Sequence, residues 1–164
     1  MTEGRPLPDH PVLRSIFEAV PEAVWKRSHG QDVASVPATL WKETAEAAHR
    51  AGFEMLVDVT TVDRVRTRRS FEVVASLLSL GHRLRLRMIT EVSEDDPRIA
   101  SLCSVFPGAN FFEREAYDMF GVVFDDHPDM TRILMPDDWE GHPLRKDFAV
   151  GWVPVQFKAA NQVR

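Results

Sequence analysis

The run Arg83-Leu84-Arg85-Leu86-Arg87-Met88 constrains the fold more than any other part of the sequence. Successive side chains of a β-strand leave on opposite faces, so this alternation predicts a strand with Leu84, Leu86 and Met88 on a buried side and Arg83, Arg85 and Arg87 on a wet one. Such patterning belongs to an antiparallel sheet with one covered and one solvated face. Phe71, Val73, Ala75 and Leu77 alternate with Glu72 and Ser76 in the same way, and Gly81-His82 supplies a hairpin turn between the two segments. Met55, Val57 and Val59, alternating with Asp58 and Thr60, predict a further strand, and residues 25–29 and 32–36 around Gly30 a smaller hairpin.

Helical signals interleave with these strands. Asp9-His10-Pro11 puts a capping residue and a proline ahead of Leu13, Ile16, Phe17 and Val20, one stripe of a short helix that Pro21 stops. A second helix is predicted from about Ala38, with Trp41, Thr44, Ala45 and Ala48 on one side and Gly52 at its end. After Asp96-Pro97 a short apolar helix is expected up to Phe106-Pro107-Gly108. Asn110 and Glu113 then match a capping box, opening a helix whose Phe112, Ala116, Met119, Phe120 and Val123 share one arc and which Gly121 closes. The order predicts an α+β core domain over residues 1–124, with a mixed, largely antiparallel sheet flanked by helices.

Beyond that point neither period continues. Pro128, Pro136, Pro143 and Pro154 interrupt residues 125–164, which predicts an extended, irregular C-terminal arm. Long irregular segments in compact proteins are mostly functional or disordered. Disorder fits poorly, because Met130, Ile133, Leu134, Met135, Trp139, Leu144, Phe148, Trp152 and Phe157 are too apolar a set for a solvated tail. Arg132, Arg145 and Lys146 alternate with Asp129, Asp137, Asp138, Glu140 and Asp147, a mixture of anchors and both charge signs that suits a protein interface.

Catalytic readings fare worse. Glu113 and Glu115 lie two apart on a helix and point about 200° away from each other, so they do not converge on one substrate atom. Arg114 and Asp118, four apart, are expected to pair along an exposed side, with the Tyr117 ring buried and its hydroxyl turned to a partner. His127 and His142 are each followed by proline and lack a second histidine at ligand spacing, and Asp125, Asp126 and Asp129 do not follow a calcium-loop pattern. No triad signature, phosphate loop or dinucleotide fingerprint occurs in the sequence. A single cysteine, Cys103, excludes an all-cysteine cluster built by this chain and reads as a small buried hydrophobe. These residues assign no catalytic, cofactor-binding or metal-binding role.

Charge narrows the partners. The net charge of -5 argues against a nucleic-acid module built on Arg83, Arg85 and Arg87 with Arg64, Arg66, Arg68 and Arg69. That alternative also lacks interleaved aromatics for stacking bases. Residues 1–6 do not resemble a signal peptide and no run approaches the ~20 apolar residues of a membrane span, so a cytoplasmic location is expected.

Three segments carry a resemblance: residues 113–121, Glu-Arg-Glu-Ala-Tyr-Asp-Met-Phe-Gly; His127-Pro128-Asp129 with Arg132-Ile133-Leu134; and residues 137–148, Asp-Asp-Trp-Glu-Gly-His-Pro-Leu-Arg-Lys-Asp-Phe. Together they resemble the C-type subunit of the proton-pumping NADH-quinone oxidoreductase, respiratory complex I. The resemblance implies the same α+β outline with an extended arm. It implies a non-catalytic peripheral-arm subunit on the cytoplasmic face of the cell membrane, reaching the membrane only through the complex and binding no nucleic acid. It further implies docking on the D-type quinone-site protein and other peripheral-arm subunits, with FMN and iron-sulfur clusters held by those partners and no cofactor bound by this chain. NADH oxidation, quinone reduction and proton pumping would then be carried by other chains.

Carried onto this sequence, the implied contact residues are Glu113, Glu115, Tyr117, Asp118, His127, Asp129, Arg132, Asp137, Trp139, His142, Arg145, Asp147 and Phe148. One departure is Thr131, where the family pattern carries the first of two arginines. Another is that the sequence stops at Arg164 without a fused quinone-site domain of the D type, which predicts a separate polypeptide. The alternatives are the equivalent subunit of a membrane-bound hydrogenase or related complex with another electron donor, and a free-standing hydrolase using Glu113, Glu115 or His127.

Overall fold

A computed structural model describes residues 8–149. Trp152, Pro154 and Phe157 of the expected arm, and residues 1–6, lie outside the described residues. The N-terminal helix α1 (Pro11–Ala19) is capped by His10, whose Nδ1 accepts from the Val12 N–H, and leads into the hairpin β1 (Val24–Ser28) and β2 (Gln31–Ser35). A 3-10 turn at Ala38–Leu40 opens helix α2 (Trp41–Arg50). Three long strands follow: β3 (Met55–Asp63), β4 (Ser70–Ser79) and β5 (Leu84–Ser93), with a one-turn helix α3 (Val65–Arg68) between the first two.

The five strands lie in the order β1-β2-β5-β4-β3, and only the β2–β5 pair is parallel. The sheet is therefore mixed and largely antiparallel. Trp25, Ala34, Val59, Phe71, Val73, Ala75, Leu77, Leu86, Met88 and Val92 line its covered face and share one core with Leu13 and Ile16 of α1 and Trp41, Ala45 and Ala48 of α2. Arg85 and Glu91 project from the other face, as the period-two pattern requires.

Several expectations need correction. In β3 the pairing shifts between Leu56 and Asp58, so Val57 sits in a bulge and is 38% exposed. The extra residue reverses which side faces inward, putting Leu56 ahead of it and Val59, Thr61 and Asp63 behind it against their partners. The apolar stretch after Pro97 is not a helix but strand β6 (Arg98–Ala100) followed by turns, paired in parallel with β7 (Val123–Asp125). Ile99 and Val122 are buried there, and an apolar run this short fits either state until a partner strand is available.

Helix α4 (Ala109–Phe120) packs across β3. It starts one residue before Asn110, and Gly108 occupies the cap with no side-chain hydrogen bond, so the predicted capping box does not form. Gly121 ends the helix at φ +78, a left-handed conformation that favours glycine, and a Cβ there would come within 2.6 Å of the His142 ring. Val123, placed on the helical arc by its spacing, lies beyond this stop in β7. Among the described residues no helix is long and apolar enough to cross a membrane.

Candidate docking site

After β7 the chain has no regular element among the described residues, yet it is tied to the core at two places. The first is Asp118, which has no exposed surface. One oxygen of its carboxylate accepts from the N–H groups of Ile133, Leu134 and Met135 at 3.1, 2.7 and 2.8 Å, and the other pairs with Arg132 at 2.5 Å. Burial pushes this carboxyl up, but the hydrogen bonds from Met135, Arg132, Leu134 and Ile133 outweigh it and hold it below the usual aspartate range.

Neighbouring groups extend the clamp. Arg132 also donates to the Gly141 carbonyl at 3.1 Å. His142 Nδ1 donates to the Asp118 carbonyl at 3.1 Å, its ring lies edge-on to Tyr117, and Leu144 N–H donates to the Met119 carbonyl. Burial, with the Arg132 and Arg145 charges, pushes the His142 pKa down against the opposing pull of Asp118, which keeps the ring neutral at pH 7.

The expected Arg114–Asp118 ion pair does not form. Arg114 reaches instead to the Thr131 carbonyl, the Thr131 hydroxyl and the Arg132 carbonyl, at 3.0, 2.9 and 3.1 Å. An exposed helix pair contributes about 0.5 kcal/mol, whereas Asp118 gains three backbone donors and a guanidinium by turning inward. Thr131 thus works as an acceptor for Arg114.

The second tie is Asp63 at the end of β3. Its carboxylate accepts from Val65 N–H and from Lys146 N–H, each at 2.8 Å, while Arg66 donates to the Lys146 carbonyl. Next to it the Arg145 guanidinium stands 5.0 Å from the centre of the buried Phe71 ring and holds Asp147 through two hydrogen bonds. Trp139 and Phe148 stack on each other within the arm.

Glu113 has a different role from the one its surface position in the motif suggests. It is fully buried, accepts from Ser101 Oγ at 2.6 Å and Leu102 N–H at 2.7 Å, and lies 3.5 Å from Cys103 Sγ. Burial raises its pKa against these hydrogen bonds, and the Cys103 thiol is pushed up to about 11, mainly by burial. Ligand atoms of Cys103, Glu113 and His127 lie within 4.8 Å of one another. Both nitrogens of His127 are engaged, however, Nδ1 accepting from Asp129 N–H and Nε2 donating to the Asn110 carbonyl, so neither presents a lone pair to a cation.

The structure sorts the predicted contact residues accordingly. Glu113 and Asp118 face the interior, a correction to their placement on a partner-facing surface: a carboxylate with no exposed area acts on a partner only through what it holds. Glu115, Asp129, Asp137 and Asp147 are exposed, and Tyr117, His127, Arg132, Trp139, His142, Arg145 and Phe148 are half-buried between arm and core. Asp63, Ser101 and Thr131 were not singled out as site residues. Their partners lie 83, 12 and 17 residues away, and no periodic signal links them. Of the arginines suspected of binding nucleic acid, three are neutralised within the chain, Arg64 by Glu72, Arg68 by Glu91, and Arg69 by Glu94 and Asp95, while Arg66, Arg83, Arg85 and Arg87 form no ion pair among the described residues.

Fold and site together define a small α+β domain whose buried charges fasten an irregular arm onto its last helix. Residues 34–152 match the family model described as respiratory-chain NADH dehydrogenase, 30 Kd subunit, and the chain belongs to this family. It is 50% identical over 110 residues to the C-type subunit of NADH-quinone oxidoreductase from Salinispora arenicola (strain CNS-205), covering 66% of this chain and 45% of the relative. It is also 50% identical over 106 residues to the corresponding protein of Xanthobacter autotrophicus (strain ATCC BAA-1158 / Py2), covering 64% and 50%. The chain thus spans about half the length of the curated relatives it matches. The trypsin-resistant fragment (1-134) of Nqo5 superposes with a TM-score of 0.66 at 30% identity, over 72% of this chain and 98% of that one. A chain of the membrane-bound sulfane sulfur reductase, an archaeal respiratory membrane complex, superposes over 93% of both chains with a TM-score of 0.78 at 24% identity and shares the fold.

Proposed function

We propose that this chain is a non-catalytic assembly subunit of the peripheral arm of a proton-translocating NADH-quinone oxidoreductase. It docks through the exposed side of α4 and the pinned arm on the D-type quinone-site protein. FMN and iron-sulfur clusters belong to neighbouring subunits, and the chain sits at the cytoplasmic face of the membrane through the complex. The observation that carries this reading is the Asp118 clamp: a buried carboxylate spent on fixing an irregular segment makes sense where that segment's shape is read by another molecule. The identity to NADH-quinone oxidoreductase relatives favours NADH as donor over the hydrogenase-type alternative, a choice the shared fold alone does not make.

Purification of the tagged full chain from its native membranes tests this reading. Co-purification of a flavin- and iron-sulfur-bearing respiratory complex is expected, with NADH oxidation lost on arm variants only when assembly is lost. Turnover by the isolated chain, abolished by Glu115→Gln, would overturn it.

A further inference from the structure

Several features of the molecule explain themselves without a ligand. The groove of about 700 Å³ on the open sheet face is lined by Arg64, Arg68, Glu72 and Glu91, whose charges pair with one another. The Cys103-Glu113-His127 cluster has its donors and acceptors filled from within the chain. The outer surface of the arm is different. Ile133, Leu134 and Leu144 are 37, 58 and 55% exposed, large apolar side chains left in water by a protein that buries Phe53 and Trp41 completely.

Their placement is not accidental scatter. The Ile133 and Leu134 N–H groups bond to the Asp118 side chain, and the Leu144 N–H to the carbonyl of Met119, so all three are fastened around the last turn of α4. Phe111, 62% exposed, lies seven residues before Asp118 on the same helix and therefore on the same face. Arg114, on the turn between them, holds Thr131 and Arg132. The chain from Thr131 to Met135 thus runs along α4 from Arg114 to Asp118, with an apolar strip on its outer side.

The charge around this strip is predominantly negative, with exposed Lys146 as the one basic side chain of the arm that forms no ion pair among the described residues. Residues 125–149 contain seven acidic and three basic residues, and of the basic ones Arg132 and Arg145 are committed to Asp118 and Asp147. Asp129, Asp137, Asp138 and Glu140 are exposed and form no ion pair among the described residues. We infer that the strip of Phe111, Ile133, Leu134 and Leu144 is the seat of a partner-protein segment that is basic and carries aliphatic or aromatic anchors. The anchors cover the strip, and the partner's Lys or Arg side chains meet the acidic rim. An acidic segment, a nucleic acid or an anionic lipid surface meets repulsion at the same place. Because the clamp fixes the backbone in advance, little ordering is left to oppose binding.

This inference rests on the assembly reading above and is tested in the assembled complex. A photo-crosslinking residue replaces Leu134, Leu144 or, as a control, Leu80 on the β4–β5 turn, which is equally exposed at 59%. All three side chains stand in solvent, so folding is retained. Positions 134 and 144 are expected to crosslink to a partner peptide of net positive charge, and position 80 is not expected to reach that peptide. In parallel, Asp137→Lys with Asp138→Lys should lower the fraction of chain in the complex about tenfold, while restoring one aspartate recovers part of it. Crosslinks that are absent, or that fall on an acidic peptide, overturn the inference, as does unchanged incorporation of the double variant. A tagged wild-type chain that co-purifies with no respiratory subunit overturns the assembly reading itself, so the two failures are distinguishable.

Discussion

Trp41, Phe53 and Phe71 sit in the sheet core with no exposed surface, whereas Ile133, Leu134 and Leu144 of the arm stand 37 to 58% in solvent. The core is held by burial of apolar area, each large side chain contributing about 1.5–3 kcal/mol. The arm is held by carboxylates and guanidiniums that spend their hydrogen bonds on backbone N–H and C=O groups. Burial is non-directional and tolerates repacking, while three N–H groups on one carboxylate oxygen define one conformation. One region is therefore built for stability and the other for shape.

The largest effect should come from the core. Phe53→Ala removes a fully buried ring and is expected to cost about 3–5 kcal/mol, lowering Tm by roughly 10 °C or more in one cooperative transition. The arm should be lost in the same transition. A melt that loses the arm separately at lower temperature would show that it is not coupled to the sheet.

Asp118→Ala is expected to do the reverse. It leaves Arg132 and three N–H groups without their acceptor and should weaken the arm by about 3 kcal/mol, seen as a roughly hundredfold faster amide exchange at Ile133, Leu134 and Met135. Exchange in β4 and β5 should hardly change. Faster exchange throughout would erase the distinction between the two regions.

What the sequence disclosed follows the same division. Period-two alternation through residues 71–77 and 84–88 placed the long hairpin and its wet face, and Gly121 marked the end of α4, because these signals are local. The bulge at Val57 and strand β6 were not legible, since each depends on the strand it meets. Within the site the helical spacing separated Glu113 from Glu115, and one is buried and the other exposed. The same spacing misassigned Asp118, whose partners come from residues 132–135. A carboxylate on a helix looks alike in sequence whether its donors come from solvent, from the next turn or from an arm that folds back.

Titration separates the two buried carboxylates by sign. Asp118 is held below its ordinary range, so its stabilisation is present above about 3.9, the ordinary aspartate value, and is lost as pH falls through the lower folded value. Glu113 is raised, so its contribution is fullest below about 4.3, the ordinary glutamate value, and declines as pH rises toward the folded value. Acidification should therefore release the arm while the Ser101–Glu113 contact is kept. Glu113→Gln, which still offers an oxygen to Leu102 N–H, should change stability at pH 7 by about 1 kcal/mol or less and remove the decline on the alkaline side. Arm exchange rates that rise with pH in the acid range, beyond the intrinsic chemical rate, would contradict the assignment.

The finest test is Thr131→Val, which deletes one hydroxyl and keeps the shape. Arg114 would retain the Thr131 and Arg132 carbonyls and lose only the 2.9 Å contact to Oγ1. The guanidinium is partly exposed and water can replace that acceptor, so the expected loss is about 0.5 kcal/mol, near a twofold rise in exchange at Ile133. Arg114→Ala removes all three contacts and should exceed it clearly. If the threonine variant instead matched Asp118→Ala, the clamp would be centred on Arg114 and the buried carboxylate would be secondary. The backbone geometry argues against that order, because Asp118 binds three consecutive N–H groups that have no other acceptor among the described residues, whereas Arg114 binds carbonyls that water can reach.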